Sequence, residues 1–167
     1  MRTVMEEIRG RVWKLGDNVD TDAIVSGQYL DAPMEEIVSH VLENHKPGLA
    51  GNVKAGDIFI AGGNFGCGSS REQAPAALKA LGIRCVVAAS FGRIFFRNAI
   101  AIGLPVLACG NVSGAFEEGD TALVSMDRFT VENMATGTVL PCEPLSEEME
   151  AIIAAGGIIQ YLKKLRK

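Results

Sequence analysis

The sequence is poor in the residues on which several kinds of binding site depend. Its 167 residues include only two histidines and four cysteines, and no two cysteines stand in a C-x-x-C spacing. The usual ligand patterns of zinc and of iron–sulfur clusters are therefore missing, and we expect this chain to bind no metal. Lys and Arg number 16 against 20 Asp and Glu, and aromatic residues make up 6%. With that balance we expect neither nucleic acid nor an anionic membrane as the main partner.

The sequence also lacks a long uninterrupted apolar run. Its beginning carries Glu6 and Glu7 where a secretion signal would be hydrophobic. The uncharged run 98–116 is interrupted by Gly103 and Pro105, which would break a membrane-spanning helix. The sequence therefore predicts a soluble, cytoplasmic chain with free thiols and no membrane partner.

Short apolar segments separated by glycine-rich turns are what the sequence does contain. From its length, the chain is predicted to form a single domain, residues 1–167. A domain of this size can bury roughly 70% of its unfolded surface. Runs of strand length occur at Gly10–Gly16, Asp57–Ala61, Ile83–Ala89 and Pro105–Cys109. A helical pattern separates the last two runs, which makes a βαβ unit and hence parallel strands. We predict an α/β fold with a mainly parallel sheet.

The remaining elements follow from periodicity and from turn residues. Apolar residues recur at helical spacing in three further segments, namely Pro33–Leu42, Ala76–Ala80 and Ser146–Ala155. Residues 122–143 have the pattern of short strands joined by turns. The basic end, residues 163–167, is interpreted as a solvated helix terminus.

The loop Gly62–Glu72, which reads GGNFGCGSSRE, carries the densest chemical signal. Its four glycines lie between a strand and a helix, where backbone N–H groups can approach an anion closely. Two of the glycines have P-loop spacing, but Ser69 stands where the phosphate-binding lysine is needed, so nucleotide binding is disfavoured. A structural alternative is that Ser69 caps a helix and Glu72 completes a capping box. Capping explains neither the glycines nor Arg71, whose planar guanidinium suits bidentate binding of a carboxylate.

Several motifs together resemble one known family. Asn64–Glu72 is similar to the signature of the small subunits of 3-isopropylmalate dehydratase and homoaconitase, the swivelling domain of the aconitase superfamily. Ser90–Asn98 resembles the second signature of that family, and Asp20–Ile24 resembles its opening. The resemblance extends from about Gly10 to Leu162. It implies a swivelling β/β/α domain and a hydro-lyase of the kind used in leucine biosynthesis, which moves a hydroxyl between adjacent carbons of a malate-type acid.

The resemblance also assigns roles to individual residues. Ser69 corresponds to the general base, which acts as an alkoxide, and Asp22 to an aspartate that assists a histidine on the partner domain. Gly68, Ser70 and Arg71 correspond to positions that bind a substrate carboxylate. A serine hydroxyl is too weak an acid to ionise unaided, so the loop amides and Arg71 would have to stabilise the alkoxide. The alternative for Asp22 is a turn-stabilising hydrogen bond to its own backbone.

By the same resemblance, a [4Fe–4S] cluster lies on a separate large subunit, where it acts as the Lewis acid for the departing hydroxyl. This chain is expected to hold no cofactor itself and to be active only with that large subunit, on a di- or tricarboxylate. Cys67 is accordingly interpreted as a small loop residue, not as a cluster ligand. Arg93 and Arg97 are interpreted as structural or interface residues.

Substrate specificity in the family resides in the loop formed here by residues 25–33. No arginine occurs between Val12 and Ser70, and Asp31 would repel an additional carboxylate of the substrate. Leu30, Asp31 and Ala32 therefore favour a short neutral or hydrophobic substituent, and so isopropylmalate. The alternatives are a homoaconitase or 2,3-dimethylmalate dehydratase subunit, or a non-catalytic anion-binding domain. Gln73 replaces a common histidine of the family, with no role predicted for it.

Overall fold

A computed structural model describes Met5 and residues 7–166. Glu6 and the last lysine of the basic end lie outside these described residues. The described chain forms a seven-stranded sheet with the strand order β4-β3-β2-β1-β5-β6-β7. The strands are β1 (Ile8–Lys14), β2 (Ile58–Ala61), β3 (Cys85–Ala88), β4 (Val106–Ala108), β5 (Thr121–Ser125), β6 (Thr130–Asn133) and β7 (Val139–Pro141).

Seven α-helices accompany the sheet within the described residues. They are α1 (Thr21–Ile24), α2 (Met34–Ser39), α3 (Leu49–Asn52), α4 (Gln73–Leu81), α5 (Arg93–Ala101), α6 (Glu147–Ala155) and α7 (Ile158–Leu165). None of these helices has the length and apolar character that crossing a bilayer requires.

The α/β prediction is confirmed, and the sheet is mixed. Strands β1 to β4 pair in parallel, whereas β1, β5, β6 and β7 pair antiparallel, so parallel pairing holds for half of the sheet. Every residue of β2 and β3 is buried, which explains their continuous apolar sequences. The predicted βαβ unit is present as β3–α5–β4, with Val86 opposite Val106.

The sheet curls so that its two edges approach each other. The backbone N–H of Glu143, just after β7, donates to the carbonyl of Ala108 in β4 over 2.8 Å. Because β7 and β4 are the two ends of the strand order, this bond links opposite edges of the sheet. The carboxyl ends of the parallel strands remain accessible at one end of the molecule.

A buried aspartate joins β1 to the turn before β2. Asp57 is 5% exposed, and its carboxylate accepts hydrogen bonds from Arg11 Nη2 (3.1 Å), Trp13 Nε1 (2.8 Å) and the backbone N–H of Lys54 (2.9 Å). Buried carboxylates are tolerated when donors surround them, and this one has three. Asp57 therefore fixes the start of β2, the strand that leads into the glycine-rich loop.

The helix predicted for Pro33–Leu42 is shorter than the spacing of its apolar residues indicates. Helix α2 ends at Ser39, and Leu42 adopts a left-handed backbone with φ of 54°. The N–H of Leu42 donates to the carbonyl of Ile24, at the end of α1, over 3.2 Å. Val41 and Leu42 are still fully buried, so the periodicity identified the buried positions correctly while a tertiary hydrogen bond ended the helix.

Candidate active site

The glycine-rich loop follows β2 and precedes α4, at the carboxyl end of the parallel strands. It is anchored by Phe65, which is fully buried and makes edge-on contacts with the rings of Phe91 and Phe95. Gly66 has φ of 78°, and a Cβ placed there would lie 2.2 Å from Phe95 Cγ. Only glycine fits at this position, because both the backbone conformation and the close approach exclude a side chain.

A second segment, residues 17–21, lies along the loop and is hydrogen-bonded to it. Gly63 N–H donates to Asp17 Oδ1 over 2.8 Å, and Gly66 N–H donates to the carbonyl of Val19 over 2.7 Å. In the opposite direction, Thr21 N–H donates to the carbonyl of Cys67 over 2.9 Å. The predicted family opening and the predicted signature are thus adjacent in space.

Three consecutive backbone N–H groups of the loop remain available. Those of residues 62–67 are all engaged by acceptors, but those of Gly68, Ser69 and Ser70 contact no acceptor in the described part of the chain. All three residues are exposed. Successive free N–H groups form a concave donor site for an anion, which is the arrangement that stabilisation of an alkoxide or a carboxylate needs.

Ser69 is held by a threonine to which the sequence had given no role. Thr21, 1% exposed, donates to the carbonyl of Ser69 over 2.9 Å, and its Oγ1 lies 3.3 Å from Ser69 Oγ. The threonine therefore fixes both the backbone and the hydroxyl of the candidate base. Thr21 lies between Asp20 and Asp22 as the first residue of α1, and this local pattern does not reveal its contact with Ser69.

Arg71 is held in place by Asp22 and by a backbone carbonyl. Its Nη2 lies 2.7 Å from Asp22 Oδ1, and its Nη1 donates to the carbonyl of Val25 over 2.7 Å. The turn-stabilising role considered for Asp22 belongs instead to Asp20, which caps α1 by accepting the Ala23 N–H over 2.7 Å. Asp22 is consequently free to orient the guanidinium.

The capping-box alternative for the loop is wrong. Helix α4 begins at Gln73, its cap residue is Glu72, and no side chain caps it. Ser69 lies outside the helix and is exposed, so its hydroxyl is not consumed by capping. This leaves Ser69 accessible to a ligand.

The predicted substrate loop lies beside this site. Gly27–Tyr29 forms a 3₁₀ turn, after which Leu30 and Ala32 are partly buried and Asp31 is exposed. The Tyr29 ring stacks on His40 with ring centroids 4.0 Å apart. Desolvation raises the pKa of Tyr29, and the neighbouring Glu43 carboxylate raises it further, so Tyr29 stays neutral at physiological pH.

The described residues offer no cluster of three or more His, Cys, Asp or Glu side chains that could hold a metal ion. Cys67 is partly buried in the loop, the other three cysteines are buried, and all four are free thiols. Arg93 and Arg97 are exposed on α5, and neither pairs with an acidic side chain within the described residues. The structure brings Ser69, Ser70, Arg71 and Asp22 together but leaves these two arginines outside the group.

Comparisons with known proteins show the family of the chain. The family model of the aconitase C-terminal domain matches residues 49–109, which include β2, the loop and α4. The 3-isopropylmalate dehydratase small subunit of Heliobacterium modesticaldum is 49% identical over 158 residues, 94% of this chain and 95% of that protein. The methanogen homoaconitase small subunit of Methanothermobacter thermautotrophicus is 46% identical over 160 residues, 95% of this chain and 92% of that protein.

A solved structure extends the match to the whole fold. The crystal structure of 3-isopropylmalate dehydratase from Methanocaldococcus jannaschii superimposes with a TM-score of 0.91 at 41% sequence identity, covering 96% of each chain. The fold and the loop thus define an aconitase-type swivelling domain. The chain belongs to the small-subunit family of 3-isopropylmalate dehydratase and homoaconitase, and its enzyme class is that of the hydro-lyases. The predicted family, fold and enzyme class are confirmed.

Proposed function

We propose that this chain is the small subunit of a two-subunit hydro-lyase that converts 2-isopropylmalate to 3-isopropylmalate and acts only with a large subunit. The relatives that match nearly the whole chain are named small subunits, which supports a large partner. The observation that carries the proposal is the grouping of Ser69, three open backbone amides and Arg71 at one exposed end of the sheet. A simple binding site for a carboxylate would not need the serine hydroxyl.

Dehydration requires removal of a proton next to a carboxylate while hydroxide leaves the adjacent carbon, and the acid that protonates this hydroxide to water would lie on the large subunit. Ser69 Oγ, as an alkoxide, takes that proton and returns it when water adds at the neighbouring carbon. The free N–H groups of Gly68, Ser69 and Ser70 supply the donors that keep the alkoxide accessible, while the hydroxyl of Thr21 donates to the Ser69 carbonyl and holds the backbone in place. The N–H groups are part of the folded loop, so no reorganisation is needed at the moment of reaction.

Arg71 and Ser70 bind a substrate carboxylate in this proposal. A guanidinium has five N–H donors, and the two contacts that hold Arg71 leave others free for the ligand. Because Asp22 and the Val25 carbonyl fix the plane of the guanidinium, the carboxylate would be bound in a defined orientation.

The Lewis acid for the departing hydroxyl would be supplied by a [4Fe–4S] cluster on the large subunit. Residues of this chain would complete the site from the other side. The exposed position of Ser69, Ser70 and Asp22 is consistent with a surface that a partner covers.

The substrate loop supports an alkylmalate. Leu30 and Ala32 offer partly buried apolar surface, and exposed Asp31 disfavours a further carboxylate on the substrate. An isopropyl group fits this description, and the smaller methyl group of 2,3-dimethylmalate is the alternative within the same class. Homoaconitate, which carries an additional acidic arm, is disfavoured.

An anaerobic pull-down with this chain as bait, followed by identification and reconstitution of the captured large subunit, tests the proposal. The reconstituted complex is assayed for iron and for hydration of maleate, citraconate, dimethylmaleate, isopropylmaleate and homoaconitate. We expect an iron-containing complex with the highest kcat/KM for isopropylmaleate. Preference for homoaconitate would contradict the substrate assignment, and a chain that binds carboxylates without any partner or turnover would favour the anion-binding alternative.

A further inference from the structure

We propose that Gln73 is a positioning residue that sets the selectivity of the substrate loop, residues 25–33, which Arg71 contacts at its first residue, Val25. The inference rests on the proposed function, since it concerns which alkyl group the same site accepts. It assigns a role to a residue that lies outside the catalytic group and is expected to touch no substrate.

The substrate loop has little backbone support of its own. Its internal hydrogen bonds are local, from Tyr29 to Ser26, from Leu30 to Gly27 and from Ala32 to Tyr29. No strand of the sheet pairs with it. Tyr29, Leu30 and Ala32 do pack against the core, so the side chains anchor the loop while its backbone beyond Val25 is held only by turns. A hydrogen bond from a rigid element to that backbone therefore limits its remaining freedom.

Gln73 makes such a contact at the centre of the loop. Its side-chain Nε2 donates to the carbonyl of Leu30 over 3.3 Å, across 43 positions of sequence. The backbone hydrogen bonds of the described chain give that carbonyl no other donor. Without Gln73, Leu30 would keep the packing of its side chain against the core, but its carbonyl and Asp31 would be held only by the local turn.

The position of Gln73 links this contact to the chemistry. Gln73 is the first residue of α4, two residues after Arg71 and four after Ser69. The same short stretch of chain therefore carries the candidate base, the carboxylate-binding arginine and the tie to the loop. Its hydrogen bond fixes the distance between Leu30 and the reacting centre.

The residue before Leu30 is supported independently of Gln73. Tyr29 stacks on His40, and His40 Nδ1 lies 2.6 Å from Glu43 Oε2. Loss of the Gln73 contact would consequently release Leu30 and Asp31 while Tyr29 stays in place. The expected consequence is poorer recognition of the substituent on the substrate, with the carboxylate and base contacts unchanged.

The test compares Gln73→Met, which removes the donor at similar volume, with Gln73→His, whose ring N–H can donate. Gln160→Met, the same change on exposed α7, is the matched control. Hydrogen exchange of the amides of residues 29–32 is measured in the full chain. KM and kcat for isopropylmaleate and for maleate, which has no alkyl group, are measured in the enzyme assembled with its large subunit.

For Gln73→Met we expect faster exchange at residues 30–32 and a rise of about three- to tenfold in KM for isopropylmaleate, the effect of losing one hydrogen bond. The kcat values for both acids and the KM for maleate should change less than about twofold. Gln73→His should reverse part of the rise in KM for isopropylmaleate. Unchanged exchange, or an equal loss with both acids, would overturn the positioning role. Faster exchange in Gln73→Met, with a wild-type complex that hydrates neither acid, would contradict the proposed function while supporting the contact.

Discussion

Two aspartate–arginine pairs in this molecule have opposite patterns of burial. In the pair beside β1 and β2, the Asp57 side chain is 7% exposed and the Arg11 side chain 41%. In the pair at the loop, the Asp22 side chain is 64% exposed and the Arg71 side chain 19%. The distances, 3.1 Å and 2.7 Å, do not separate the two pairs, but the surroundings of the carboxylates do.

The difference separates a stabilising pair from one that orients a functional group. Asp57 satisfies an indole N–H and a backbone N–H besides Arg11, so removing it would leave donors without an acceptor. Asp22, by contrast, contacts Arg71 and is open to solvent. Water can therefore replace the Asp22 carboxylate at little cost in stability. Arg71 instead is held from two sides with donors left over, as a ligand-binding group must be.

Among changes to the two pairs, the largest expected effect is on activity, from Arg71→Lys. A lysine keeps the charge but loses the planar fork that binds a carboxylate through two hydrogen bonds. We expect kcat/KM of the assembled enzyme to fall about 10²–10³-fold, as when one preorganised donor is removed from an active site. Steady-state kinetics measure this, and thermal unfolding of the free chain should be almost unchanged. An active Arg71→Lys enzyme would contradict the proposed role of the fork.

Asp57→Ala should give the largest effect on stability. It removes the acceptor of Trp13 Nε1 and of the Lys54 N–H, and leaving such groups unpaired costs about 1–3 kcal/mol. Denaturant unfolding should show a loss of about that size, and the activity per folded molecule should be retained. Asp22→Ala is the matched control, with an expected loss below about 1 kcal/mol. Equal losses in the two variants would contradict the comparison.

Asp22→Asn should have a smaller effect on kcat/KM. The substitution removes the charge of the side chain but keeps its shape. The amide can still accept a hydrogen bond from Arg71 but no longer attracts the guanidinium electrostatically. We expect a fall of about tenfold in kcat/KM, corresponding to the loss of one charge-assisted hydrogen bond. A normal kcat/KM in the assembled enzyme would show that Asp22 does not orient Arg71.

The sequence predicted well those features that depend on local pattern. The apolar runs of β3 and β4 and the helix between them identified a parallel unit because buried strands need continuous apolar residues. The glycine pattern predicted a loop with close backbone approaches, and Gly66 does pass close to Phe95. The antiparallel pairing of β5, β6 and β7 could not be predicted from the sequence. Alternation of apolar and polar residues predicts a strand but does not show which strand lies beside it.

Features that depend on distant contacts escaped sequence reasoning. Thr21 reaches Ser69 across 48 positions, and no local pattern shows that a threonine in a one-turn helix will hold a distant serine. Asp20 caps α1 and Asp22 pairs with Arg71, and this assignment depends likewise on where Arg71 lies. Residues of this kind are recognised once the two segments are seen to be adjacent.

The central claim, that Ser69 is the base, is tested most directly by proton removal in the assembled enzyme. Turnover and incorporation of carbon-bound deuterium during hydration of isopropylmaleate in D₂O are compared in the wild type, Ser69→Ala and Ser70→Ala, with assembly checked by mass. A positioned general base contributes about 10²–10⁴-fold, so we expect Ser69→Ala to assemble normally yet show no detectable turnover or deuterium incorporation. Ser70→Ala should mainly raise KM. Near-normal turnover in Ser69→Ala would contradict the account.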